Sequence, residues 1–417
     1  MASPRTTTIG SYPVFPSAED IDYYSKMVAS GLADEVTDPF LWSIEESVKD
    51  FAASGVEVPS TGQTRGDLYS LFLDPKFVKG VTWRGAEATI SDKLSGLSQI
   101  RVADVKFARS ILPDHLPLKE PVTDAYTLAR FAKISTDSYA DTRELARDIN
   151  RKVLIPEIED LQKYGGVSMI QLDSPSIAAE SSVPHYVKDL VEDVASVTRV
   201  PLLLHACGDT TRIFRYLTGL KVQALELDFF HYPRLLDEAA RVSSDQTIGL
   251  GVLDSQIPRV ETVAEIAALI EKGRKALGDD RIGFIHPHCG ERSLHREVAF
   301  EKNANMALAR DDVFYGEALE PKHVQLERSQ YDVKGYFLVA VKKETKEIVV
   351  SFFTYRHKAV RRYRSGSAEV LLQAINDDAD RLGISRRHLA YLTLELGRAE
   401  ASLRPPSVAY RQKLIEP

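Results

Sequence analysis

Cys207 and Cys289 are the only two cysteines in a chain of 417 residues, and each lies among other side chains able to do chemistry. The first is in His205-Ala206-Cys207-Gly208, the second in His286-Pro287-His288-Cys289-Gly290. His205 and Cys207 are two residues apart, so on an extended strand end they project from the same side. With Cys289 they offer one imidazole and two thiolates, and Glu226, from the segment between, offers a carboxylate. Four such donors suit tetrahedral Zn²⁺. The cysteines are 82 residues apart, unlike the locally paired ligands of a zinc ribbon or finger, so the fold must assemble the site. Each residue alone has an ordinary reading. A lone cysteine is usually a small buried hydrophobe, His286 and His288 read as core or surface histidines, and Asp173 and Asp254 read as helix caps or ion-pair partners. It is the combination that points to a metal.

The elements that carry these groups repeat one pattern, an apolar run followed by a polar group. Leu172 leads into Asp173, Leu204 into His205, Leu225 into Glu226, Leu253 into Asp254 and Ile285 into His286. Barrel active sites form at the C-terminal ends of several parallel strands at once. Candidate strands are 102–107, 168–172, 201–204, 222–227, 247–253 and 281–285, alternating with helical patterns at 141–164, 186–197 and 262–277. Thr262 with Glu265 three residues on reads as a capping box, and Gly278 as a stop. No G-x-G-x-x-G follows a strand, so the expectation is an α/β fold of the (β/α)₈ TIM-barrel type over residues 1–320.

Residues 321–417 read as a small basic α+β domain. From His323 to Pro417 there are 17 Lys and Arg against 11 Asp and Glu, whereas the rest of the chain has 36 against 49. A hairpin is expected from 336–341 and 348–355, then helices at 367–382 and 385–403. The clusters Arg356-His357-Lys358 and Arg361-Arg362-Tyr363-Arg364 offer a docking face for an anionic partner.

Bulk properties exclude some classes. A net charge of −7 argues against nucleic acid. No stretch of 18 apolar residues predicts a membrane span, and the first 13 residues lack the apolar core of a secretory signal. A cytoplasmic protein is expected.

Longer motifs carry a family resemblance. Thr6-Thr7-Thr8-Ile9-Gly10-Ser11-Tyr12-Pro13, Lys119-Glu120-Pro121-Val122-Thr123 and Ile170-Gln171-Leu172-Asp173-Ser174-Pro175 resemble segments of the catalytic barrel of cobalamin-independent methionine synthase. So do His205-Ala206-Cys207-Gly208, Glu226, Gly251-Val252-Leu253-Asp254 with Pro258-Arg259, and Pro287-His288-Cys289-Gly290. The likeness runs from about Thr6 to Leu319 and is greatest to short, single-barrel core forms. It implies zinc bound by His205, Cys207, Glu226 and Cys289, with homocysteine as substrate. Ile9 and Ser11 would hold its carboxylate and Asp173 its amino group, and the loop of Asp254 and Gln256 would take part in catalysis with Asp173.

The sequence departs from the family in three ways. Gln63 stands where the long enzymes have a glutamate that contacts the amino acid. Gln256 stands where they have a histidine proposed to help protonate the folate product. The second, N-terminal barrel that helps to hold folate is not expected here. Loss of the histidine favours a donor that leaves without a proton, such as methylcobalamin or a methylated corrinoid protein, over a folate or pterin donor. Coenzyme M is the alternative thiol, and a non-catalytic scaffold with structural zinc is the alternative of another class. A uroporphyrinogen decarboxylase reading needs no such cysteine set.

Overall fold

The computed structural model describes residues 3–33, 37–96, 99–113, 116–315, 337–342, 347–352, 361–365, 367–382 and 396. Seven parallel strands form one sheet in the order Arg5–Thr6, Ile282–Pro287, Thr247–Leu253, Ala224–Asp228, Leu202–Ala206, Met169–Asp173, Lys119–Thr123. An eighth stave closes it. Thr7 pairs in parallel with Val58, and the Lys119 N–H donates to the Pro59 carbonyl at 2.9 Å. The expected (β/α)₈ barrel is the fold.

Its interior follows the two-residue period of the strands. Val58, Met169, Leu203, Ala224 and Phe284 form a buried apolar cluster. Two residues further along four of these strands stand Gln171, His205, Glu226 and His286, all buried. Two further again come Asp173, Cys207, Asp228 and His288. An apolar floor therefore supports two polar layers that rise toward the C-terminal mouth. The intervening Ile170, Leu172, Leu202, Leu204, Leu225 and Leu227 are also buried, as expected for strands covered by helices on their outer face.

Some local expectations change. Residues 102–107 form no strand but the start of the helix Val102–Ile111, in which Val102, Asp104, Val105 and Ala108 are buried at helical spacing. The strand of that unit is Lys119–Thr123. The long helix expected at 141–164 is divided into α segments Thr142–Ile149 and Ile155–Asp160, with π turns at Asn150–Leu154 and Leu161–Gly165. Pro156 at its centre has no N–H to donate, which displaces the ladder locally. The helix Val263–Leu277 has the expected capping box, Thr262 with Glu265. A hairpin not expected, Val78–Arg84 with Glu87–Gly96, precedes the Lys119 strand.

The chain divides into two compact units: Met1–Val48 with Val56–Phe314, and Lys49–Gly55 with the residues from Tyr315 onward. In the second, Phe337–Lys342, Glu347–Phe352 and Arg361–Ser365 make an antiparallel sheet, followed by the helix Ala368–Leu382. The expected hairpin is therefore present, with a third strand added. The expected boundary at residues 320–321, the helix 385–403 apart from Leu396, and the cluster Arg356-His357-Lys358 fall outside the described residues. Among the described residues no helix is long and apolar enough to cross a membrane.

Candidate metal centre

The first convergence is that of His205, Cys207 and Cys289, whose ligand atoms all lie within 4.8 Å of one another. His205 Nε2 is 2.6 Å from Cys207 Sγ. On the other side of the ring, Nδ1 is 3.0 Å from the Glu226 carbonyl oxygen. A carbonyl can only accept, so Nδ1 carries the hydrogen and Nε2 presents its lone pair, the usual second-sphere arrangement for a metal-binding imidazole. Burial holds His205 far below the ordinary histidine range, so it is neutral, as a ligand must be. The two free thiols share a hydrogen bond that lowers Cys289 and raises Cys207, so the first thiolate of the pair forms at Cys289.

Glu226 is placed differently. It is paired with His205 across neighbouring strands, but its Oε1 lies 2.8 Å from Lys119 Nζ, both side chains being fully buried. Its Oε2 is buried without a hydrogen-bond partner. Gly249 is what makes room: a Cβ there would come within 2.7 Å of His286 Nε2 and 2.9 Å of Glu226 Cγ. A neutral imidazole, two thiols and an unpartnered carboxylate oxygen make a donor set that fits Zn²⁺. Lys119, whose ammonium is pushed down by burial and back up by Glu226, would compete with such an ion for that carboxylate.

The residues expected to hold an amino acid stand beside the cysteines. Gly10, between Ile9 and Ser11, has φ +55°, and a Cβ there would lie 3.5 Å from Gly290 Cα and 3.6 Å from Gln63 Oε1. The Glu291 N–H donates to the Ser11 carbonyl at 2.8 Å. Gln63 is buried and itself in the left-handed region, φ 43°, a strained state for a side chain of its kind that its surroundings must impose. Its Nε2 donates to the Pro121 carbonyl at 3.3 Å. Asp173 is buried too. Burial pushes its carboxyl up to about 7, opposed by the Gln171 hydrogen bond and Lys119.

Asp254 and Gln256 belong to a second cluster. The Gln256 side chain is exposed, while its backbone N–H donates to Asp254 Oδ1 at 2.8 Å. Asp254 Oδ2 lies 3.3 Å from Nε2 of His231, whose Nδ1 lies 3.0 Å from Asp228 Oδ2. His288 stacks edge-on against His231, ring centroids 4.5 Å apart.

Asp228 follows Glu226 at its strand's polar end, but Lys119, His231, Arg101 and Glu120 are given no role by the sequence. Fully buried Arg101 pairs with Asp104, with Glu120 Oε1 at 3.0 Å and with Thr61 Oγ1 at 2.9 Å, fixing the chain just before Gln63. The available signal was Lys119-Glu120 opening a fully buried strand, since unpaired charges do not survive there.

Glu291, next to this site, gives a stability prediction. Burial raises its carboxyl to about 8 from an ordinary 4.5. The folded chain thus keeps a proton that the unfolded chain loses. The stability contribution is complete below about 4.5 and is lost as pH rises to about 8. Glu291→Gln is expected to flatten that decline, on the order of a few kcal/mol. Urea unfolding at pH 5 and pH 8.5 measures it, and equal slopes for the two proteins would contradict it.

Comparison with known proteins places this geometry. The family model described as cobalamin-independent synthase, catalytic domain, matches residues 4–311. A model described as PterinBD-DUF4346 matches residues 331–413. The methionine synthase of Methanocaldococcus jannaschii is 29% identical over 321 residues, covering 73% of this chain and 97% of the relative. That of Methanothermobacter thermautotrophicus is 28% identical over 313 residues, covering 73% and 98%. Among solved structures, a B12-independent methionine synthase from Shewanella sp. W3-18-1, in complex with selenomethionine, superposes with a TM-score of 0.63 at 18% identity, covering 76% of this chain and 99% of that one. A methyltransferase from Methanosarcina mazei gives 0.53 at 12% identity, covering 75% and 94%. A cobalamin-independent family does not support the methylcorrinoid donor expected from Gln256. The structure also weakens the reason for it, because His231 brings an imidazole to Asp254 from another strand.

Proposed function

The chain belongs to the cobalamin-independent synthase catalytic-domain family, and on that footing we propose that it is a zinc-dependent methyltransferase that makes methionine, moving a methyl group from a methylated reduced pterin to the thiol of homocysteine. The observation that carries this reading is the convergence of His205, Cys207 and Cys289 beside the Ile9–Ser11 turn.

A free alkyl thiol with a pKa of about 8.5 is only a few per cent thiolate at pH 7. Zinc bound by His205, Cys207 and Cys289, with Glu226 as the exchangeable fourth donor, would supply the missing ionisation. The protein's own groups do the rest. Two soft thiolates keep an incoming sulfur electron-rich, where three imidazoles would favour hydroxide chemistry. Lys119 holds Glu226 by one oxygen and so keeps a place free for the substrate's sulfur. Asp173, whose carboxyl burial pushes up to about 7, ionises fully against the substrate's ammonium group. The Ile9 backbone and Ser11 hydroxyl take the carboxylate. Three fixed points then aim the sulfur along the line of methyl transfer, where alignment is a large part of what a protein contributes.

Two facts support the pterin donor. The family matched is described as cobalamin-independent, and the additional segment matches a model whose description names pterin binding. Two cysteines that must remain reduced suit the cytoplasm.

A donor panel tests the reading: homocysteine with an N5-methylated reduced pterin, 5-methyltetrahydrofolate, methylcobalamin or a methylated corrinoid protein, scoring methionine. Transfer from the pterin class is expected, and activity with the corrinoid donors alone would overturn it. Deleting residues 323–417 is expected to raise the KM for the pterin and leave that for homocysteine unchanged. Identical kinetics in the shortened protein would exclude a donor-binding role for the segment.

A further inference from the structure

His231, in the second cluster, reaches solvent, with its side chain 38% exposed between Asp228 at 3% and Asp254 at 5%. Both ring nitrogens are engaged: Nδ1 at 3.0 Å from Asp228 Oδ2, and Nε2 at 3.3 Å from Asp254 Oδ2. A carboxylate therefore faces each nitrogen, and a hydrogen on either one has an acceptor beside it. The clamp is built from the backbone as well. The His231 N–H donates to Asp228 Oδ1 at 3.0 Å, and Asp254 is fixed by the N–H of Gln256 at 2.8 Å. The ring is close to the candidate metal centre, because it packs on His288, the residue before Cys289.

The geometry points to His231 as the general acid that protonates the departing pterin, an assignment that rests on the methyl-transfer reading above. The step balances as follows. A lone pair on the homocysteine sulfur forms the S–CH₃ bond. The CH₃–N5 bond breaks with its electron pair going to N5, and N5 takes the hydrogen from His231 Nε2, which has the longer of the two carboxylate contacts. Nδ1 remains on Asp228, and the neutral ring regains its proton from solvent through its exposed edge. Gln256, whose amide has no acidic hydrogen at neutral pH, takes no part in the transfer.

The test compares His231→Gln with the wild-type, zinc-loaded full chain on two donors. An N5-methylated tetrahydropterin leaves with a proton; methyl iodide, whose iodide leaves without one, does not need it. A fall of about 10²-fold or more in kcat with the pterin is expected, within the range for a lost general acid, with transfer from methyl iodide changed less than about 3-fold. Added imidazole is expected to restore part of the pterin reaction in His231→Ala. An equal fall with both donors would make His231 a structural residue and overturn the assignment, as would no fall with either. A wild-type protein that uses methyl iodide but no methylated pterin would overturn the donor reading, and this inference with it.

Discussion

Cys289→Ser is expected to lose zinc and methyl transfer together. Cys289 is the thiol of the pair that ionises first, so its replacement removes a soft and readily charged donor and leaves His205 and Cys207 with only the exchangeable Glu226 beside them. Without the ion a homocysteine thiol is about thirty-fold less ionised at pH 7, and a sulfur displaced by about 1 Å costs about 10²-fold more. The combined fall in kcat is on the order of 10³-fold or greater. Elemental analysis of the purified variant with a methionine assay measures both halves. Full activity in a metal-free Cys289→Ser protein would end the mechanism, and zinc retained with activity lost would limit Cys289 to a role after metal binding.

Lys119→Met is the second large effect, and it acts on stability before it acts on rate. Lys119 and Glu226 are a fully buried ion pair 2.8 Å apart, and removing one partner of such a pair costs about 3–5 kcal/mol because the other charge is left uncompensated. The metal-free variant is expected to unfold at correspondingly lower urea. Zinc is expected to recover much of the loss, since the freed Glu226 carboxylate then has the ion as its counter-charge, and zinc should also bind more tightly than in the wild type. The double variant Lys119→Met, Glu226→Gln, with neither charge, should be close to wild type in the absence of metal. Unfolding curves with and without zinc, joined to chelator competition, separate these outcomes. A single variant as stable as wild type without zinc would show that the pair carries no such burden.

The barrel and much of its site were legible because their signals are local and periodic. Met169, Gln171 and Asp173, like Leu203, His205 and Cys207, put a polar group at every second position toward the strand's C-terminal end, and a one-residue slip would reverse the faces. The capping box at Thr262 is equally local, and the structure contains it. What escaped notice depends on distance across the fold. Lys119 and Glu226 are 107 positions apart, and nothing near Lys119 announces a partner. Val102–Ile111 was misread as a strand because its opening Val, Val and Phe suit either period, and only burial at 102, 105 and 108 decides for the helix. The stave at Val58-Pro59 is too short to leave a pattern. His231 is three residues past its strand, on a loop, and its meaning comes only from Asp254 on the next one. Gln256, read alone, therefore pointed to a corrinoid donor, which a cobalamin-independent family does not support.

Zinc-edge X-ray absorption of the loaded protein, before and after homocysteine is added, tests the central claim most directly. Two sulfur neighbours at about 2.3 Å, from Cys207 and Cys289, are predicted in the resting protein, and a third on adding homocysteine, with release of its thiol proton. A sulfur count that stays at two while homocysteine is bound would contradict the account.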